Sequence, residues 1–113
     1  MSRIYKILGR AEWTAAQAAG SYAGSALDRR DGFIHFSTAA QAQETARRHF
    51  AGQADLVVLE VEADDLGDTL KWEPSRGGDL FPHLHAPLDA AHVLRVIEAP
   101  LDGGDVPQIR LAP

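Results

Sequence analysis

The chain has 113 residues, a length that predicts one domain, 1–113, around a single core. It contains no cysteine, which excludes a disulfide framework, a thiolate nucleophile and a cysteine-bound zinc. A formal charge of −5 at pH 7 argues against a protein that neutralises many phosphates, so a nucleic-acid partner is not expected. Two or three local arginines would still suffice to hold one nucleotide.

From the amino terminus, MSRIYKILGR lacks the apolar core of a secretory signal. No apolar run approaches the length of a bilayer-spanning helix, so the expectation is a cytoplasmic protein without a membrane partner. Ile4 to Leu8 alternates in polarity and is rich in β-formers, which predicts a first strand ended by Gly9. The alanine-rich AEWTAAQAAG predicts a helix that stops at Gly20. SYAGSALDRRDG is dense in small and turn-forming residues and reads as a connection, with Asp31-Gly32 as a turn signal. Phe33 to Phe36 then predicts a second strand.

Thr38-Ala-Ala-Gln41 fits a capping box, in which side-chain oxygens cover free backbone N–H groups at a helix start. Ala42, Ala46 and Phe50 follow on one stripe, with Gln43, Glu44 and Arg47 opposite, and Gly52 closes the helix. Leu56 to Val61 is nearly unbroken apolar sequence, the pattern of a strand covered on both faces. TLKWE predicts a short strand, PSRGGDLFPHLHAP an irregular loop, HVLRVIEAP a last core strand and VPQIRL an edge strand. The order β-α-β-α-β-β-β predicts a compact α+β domain with two main helices and a mixed or mainly antiparallel sheet.

Two stretches concentrate polar chemistry. In the second strand, alternation puts His35 and Ser37 on one face and Ile34 and Phe36 on the other. Either His35 and Ser37 face a cleft, or His35 is a hydrogen-bonded interior residue and Ser37 or Thr38 a helix cap. The second stretch is KWEPSRGGDLFPHLH. There Glu73 has the chemistry to orient a hydroxyl, and Arg76 to hold a phosphate bidentately. Gly77 and Gly78 permit close approach of backbone to a ligand, or positive φ. The alternative is a surface loop with a Glu73–Arg76 ion pair. His83 and His85 share a face if extended, and with His35 they could make a three-histidine zinc site. Neither HExxH nor a carboxylate at metal spacing accompanies them, so no metal is expected. The chain has no Walker A, GxGxxG or GxSxG motif.

Taken together, IYKI, GSYAGSALDRRDGFIHFSTAAQAQETARRHF, DLVVLEVEADDL, KWEPSRGGDLFPHLHAPL and VLRV resemble the bacterial domain-of-unknown-function family 952 over nearly the whole chain. That family is grouped by fold with the ADP-ribosyltransferases. FIHFSTAAQAQETARRHF, LVVLEVEADDL and EPSRGGDLFPHLHAPL are similar, in order and separation, to the catalytic half of the NAD-dependent RNA 2′-phosphotransferases. His35 and Ser37 fall on the second histidine and the serine of the H-V-H-[LF]-[SA] strand of those enzymes, and Arg30 lies near its preceding arginine. Their Y-H-G-T strand corresponds to Tyr5-Lys6-Ile7-Leu8, which lacks the histidine. Their amino-terminal RNA-binding portion has no counterpart, so a small molecule or a protein side chain is expected in place of a large nucleic-acid substrate.

The resemblance implies an ADP-ribosyltransferase-like enzyme acting on NAD or a related nucleotide, in a cleft between the His35–Ser37 strand and the Glu73–His85 loop. His35, Glu73 and His83 are its implied catalytic residues, with Glu73 stabilising positive charge and His83 acting as acid–base. Tyr5, Arg30, Ser37, Arg76, Gly77 and Gly78 are the implied ligand contacts. The alternatives are a non-catalytic module of the same fold, binding a small anionic ligand or a partner protein, and a histidine-metal hydrolase. Substrate, acceptor and oligomeric state are left open.

Overall fold

The computed structural model describes residues 2–111, apart from the side chain of Arg76. In chain order the strands and helices are β1 (Arg3–Gly9), α1 (Arg10–Ala19), β2 (Ser21–Tyr22), α2 (Ala26–Asp31), β3 (Ile34–His35), β4 (Ser37–Thr38), α3 (Ala39–His49), β5 (Leu56–Glu62), β6 (Leu70–Pro74), β7 (Leu80–Leu84), β8 (Leu88–Asp89) and β9 (Val93–Glu98). Short 3₁₀ segments lie at Ala63–Thr69, Arg76–Gly78 and Ala90–His92. All strand pairs among the described residues are antiparallel, in three sheets ordered β4-β1-β5-β9, β3-β7-β6 and β2-β8.

Alternation along β1 builds the core on both faces of the main sheet. Ile4 and Leu8 pack with Trp13, Phe36, Val57, Leu59 and Leu84 on the face that α1 covers. Tyr5 and Ile7 pack with Ala46, Leu56 and Val58 on the face that α3 covers. Between the two layers β5 is buried along its whole length, as its unbroken apolar sequence predicts. The first helix ends where expected, with Gly20 at φ 82° and its N–H on the carbonyls of Ala16 and Gln17. The Thr38–Gln41 capping box also forms, with the Thr38 N–H on Gln41 Oε1 at 3.0 Å.

Three expectations are corrected. SYAGSALDRRDG is not a plain connection: it holds β2 and the six-residue α2, opened by a Ser25–Asp28 capping box and closed by Gly32 in the left-handed region. A helix that short shows no apolar period, and the residue it buries is an aspartate. PSRGGDLFPHLHAP is likewise more ordered than an irregular loop. Gly77 and Gly78, at φ 68° and 83°, make the turn into β7, which pairs with both β6 and β3. Proline normally argues against an inner strand because it lacks an N–H. Pro82 nonetheless keeps its carbonyl in use, accepting from the Phe36 N–H at 3.0 Å. VPQIRL, finally, forms no edge strand. Its backbone is held by the Gln43 amide instead, which donates to the Pro107 carbonyl and accepts from the Ile109 N–H, both at 2.9 Å.

Candidate functional site

Lys6 is in phase with Ile4 and Leu8, so β1 directs an ammonium toward the core side of the sheet. There it is 5 % exposed and meets Asp28 of α2, itself 1 % exposed. Lys6 Nζ lies 2.8 Å from Asp28 Oδ2 and 3.1 Å from Oδ1. The same carboxylate accepts the Ser25 N–H at 2.9 Å, the His35 N–H at 3.2 Å and His35 Nδ1 at 2.6 Å. Burial alone would raise the Asp28 carboxyl. The His35 hydrogen bond, the Lys6 charge and the Ser25 N–H outweigh it and hold the group well below the usual carboxylate range.

His35 thus has one ring nitrogen fixed against a buried carboxylate. Its other nitrogen, Nε2, lies 3.0 Å from Asp31 Oδ2, while Asp31 Oδ1 accepts from Arg30 Nε at 3.1 Å. The Arg30 hydrogen bond, with the charges of Arg30 and His35, lowers the Asp31 carboxyl against a smaller opposing effect of desolvation.

A second carboxylate–imidazole group comes from β6 and β7. Glu73 Oε1 accepts from His83 Nδ1 at 2.9 Å and from His85 Nε2 at 2.8 Å, and these bonds, His85 first, lower the Glu73 carboxyl. His83 is buried, and desolvation pushes its imidazole below its ordinary value despite the Glu73 hydrogen bond. A neutral ring donating from Nδ1 to a carboxylate leaves Nε2 as the lone-pair nitrogen. Phe33 locks the assembly together: its ring stacks on His83 at 4.1 Å and lies tilted at 4.6 Å from His35 and 5.1 Å from His85. The His35 and His83 rings are 5.5 Å apart.

His35 and His83 share the wall of a cavity of about 480 Å³. Its polar lining includes Tyr5, Lys6, Asp28, Arg30, Asp31 and Ser37, and Leu27, Phe36, Phe50 and Phe81 are among its apolar lining residues. The volume falls within the range that small-molecule pockets span, roughly 300–1,000 Å³. Five residues singled out by sequence therefore converge: Tyr5, Arg30, His35, Ser37 and His83. Two of their hydroxyls are already engaged, Tyr5 donating to Glu60 Oε2 at 3.0 Å and Ser37 bonded to Thr45 at 2.9 Å. Glu73 stands behind His83 and does not line the cavity, and Gly77 and Gly78 are exposed in their turn. The Arg76 side chain lies outside the described residues.

His83 and His85 share a face, as expected, but converge on Glu73, while His35 has a carboxylate at each nitrogen. No group of three or more metal-ligating side chains is arranged to hold an ion among the described residues. Lys6 and Asp28 were not among the candidates. The signals were present: a lysine in the inward phase of a strand, and a Ser-x-x-Asp cap inside an apparent turn.

The crystal structure of protein CC0527 from Caulobacter crescentus is similar throughout, with a TM-score of 0.92 at 58 % identity, covering 95 % of this chain and 94 % of that one. The solution structure of CC0527 gives a TM-score of 0.86 at 58 % identity, covering 96 % and 93 %. No curated protein matches the chain. The model of the family described as protein of unknown function DUF952 matches residues 7–96, and the chain belongs to that family.

Proposed function

We propose that the chain is an ADP-ribosyltransferase-like enzyme that binds NAD or a related nucleotide in the cavity walled by His35, Ser37 and His83. One observation carries this reading: two imidazoles, each backed by a carboxylate, share a cavity that aromatic and apolar side chains also line. The aromatic lining, with Phe50 and Phe81, suits a planar base. The imidazole side suits ribose hydroxyls.

In ribosyl transfer the bond from the ribose to nicotinamide breaks, positive charge gathers on the ribose, and an acceptor hydroxyl or water attacks. His83 Nε2 takes the proton of that attacking group, and Glu73 steadies the imidazolium that forms. Glu73 is thus a positioning residue acting through His83, a change from the direct stabilisation of positive charge that the sequence resemblance implies. His35 contacts the ribose or its phosphate.

Calorimetric titration with NAD, ADP-ribose and nicotinamide tests the reading. Wild-type protein is expected to bind at least one of them at millimolar concentration or below, and a folded His83→Ala variant to release nicotinamide roughly a hundredfold more slowly. Absence of binding by all three sinks the proposal. A non-catalytic module is favoured by one feature: the NAD-gripping histidine is replaced by Lys6, and its ammonium is committed to Asp28. Tight ADP-ribose binding with no nicotinamide release from NAD would select that second reading.

A further inference from the structure

The Asp31 carboxylate is gripped the way a ligand's anionic group would be. One oxygen lies 3.1 Å from Arg30 Nε and the other 3.0 Å from His35 Nε2, and all three side chains line the cavity. We infer that Arg30 and His35 form an anion clamp, and that Asp31 occupies it in place of a phosphate or carboxylate of the ligand. The inference rests on the nucleotide reading in naming that anion as a nucleotide phosphate.

The geometry separates the clamp from its occupant. His35 is held from behind by Asp28 through both its backbone N–H and Nδ1, with Phe33 against its ring. The position of Nε2 is therefore set by the buried hub and not by Asp31. Lys6 neutralises Asp28, so the buried carboxylate does not repel an anion arriving on the far side of the ring. Asp31 is the last residue of α2, and its side chain is 29 % exposed, as is that of His35. Rotation about its side-chain bonds releases both contacts without disturbing the helix. A phosphate then replaces one carboxylate with another acceptor of the same charge sign, bidentate toward guanidinium and imidazole. Asp31 acts here as a specificity residue, admitting only anions that bind the clamp better than it does.

The test titrates inorganic pyrophosphate and ADP-ribose separately into wild-type, Asp31→Asn and Asp31→Asn/Arg30→Ala proteins, each checked for a native far-UV spectrum. Removing the competing charge is expected to tighten pyrophosphate binding about tenfold in Asp31→Asn, and the added Arg30→Ala to erase the gain. Pyrophosphate binding that is equal in wild type and Asp31→Asn, or undetectable in both, overturns the clamp. ADP-ribose binding equally to both of those proteins overturns it too while leaving the nucleotide reading intact. Pyrophosphate tightening without any binding of NAD, ADP-ribose or nicotinamide supports the clamp and removes the nucleotide.

Discussion

Asp28 concentrates more of the chemistry than any other side chain described. Its two oxygens receive one ammonium, one imidazole and two backbone N–H groups from β1, β3 and the start of α2. Breaking a buried ion pair from one side leaves the other charge uncompensated, which costs about 3–5 kcal/mol. Lys6→Met is expected to lose that much in urea denaturation. Lys6→Met combined with Asp28→Leu should recover part of it, because no naked charge then remains buried. Acid acts on the same group. The Asp28 carboxyl titrates lower in the folded than in the unfolded chain, so its contribution is complete above the unfolded value of about 3.9 and is lost as pH falls below it. Unfolding free energy measured down the acid range should drop below about pH 4, with a shallower drop in Asp28→Asn.

At the scale of elements, α2 carries much of the candidate site, since its six residues include Asp28, Arg30 and Asp31. Ser25 caps it by accepting the Asp28 N–H at 3.2 Å, and Ser25→Ala should cost about 1 kcal/mol in thermal or urea unfolding. Gly24 is stricter. It sits at φ 105°, and a Cβ there would come within 2.8 Å of the Asp28 Cβ. Gly24→Ala is therefore expected to destabilise by more than the cap variant, by roughly 1–3 kcal/mol of strain, and to loosen the His35–Asp28 contact seen by imidazole NMR. The elements that sequence reveals well are those with a long period. β5 and α3 announce themselves through apolar runs and stripes, whereas the alternation expected from Phe33 to Phe36 is interrupted between β3 and β4, and His35, Phe36 and Ser37 all line the cavity. α2 escapes because a single turn and a half has no period to read. β7 escapes because Pro82 imitates a breaker. The candidate site was legible in its imidazoles and less so in their supports: strand phase and a Ser-x-x-Asp cap mark Lys6 and Asp28, but charged residues are ordinarily solvent-facing, and only their mutual ion pair keeps them buried.

For the whole molecule, the two inner strands of the main sheet are far apart in sequence. β1 pairs over all seven residues with β5, from Arg3 opposite Glu62 to Gly9 opposite Leu56, and its other neighbour β4 also lies downstream. Long-range antiparallel pairing of this kind places folding in the slow regime, with stopped-flow refolding expected at about milliseconds to seconds. A chain cut after residue 55 lacks the partner that buries β1 and should show no cooperative unfolding transition.

The position of Lys6 inside β1 has a consequence during synthesis. At about 5–20 residues per second, several seconds separate the emergence of β1 from that of β5. Through that interval the stretch from Ile4 to Leu8 has no sheet to join, and its apolar residues offer an open strand to any neighbouring chain. A lysine in the middle of such a stretch is a gatekeeper, since stacking copies of it would align like charges. The residue that lines the cavity in the folded chain is thus also placed where its charge would oppose pairing between newborn chains. Lys6→Met should lower soluble yield in expression trials by more than its loss of folded stability accounts for.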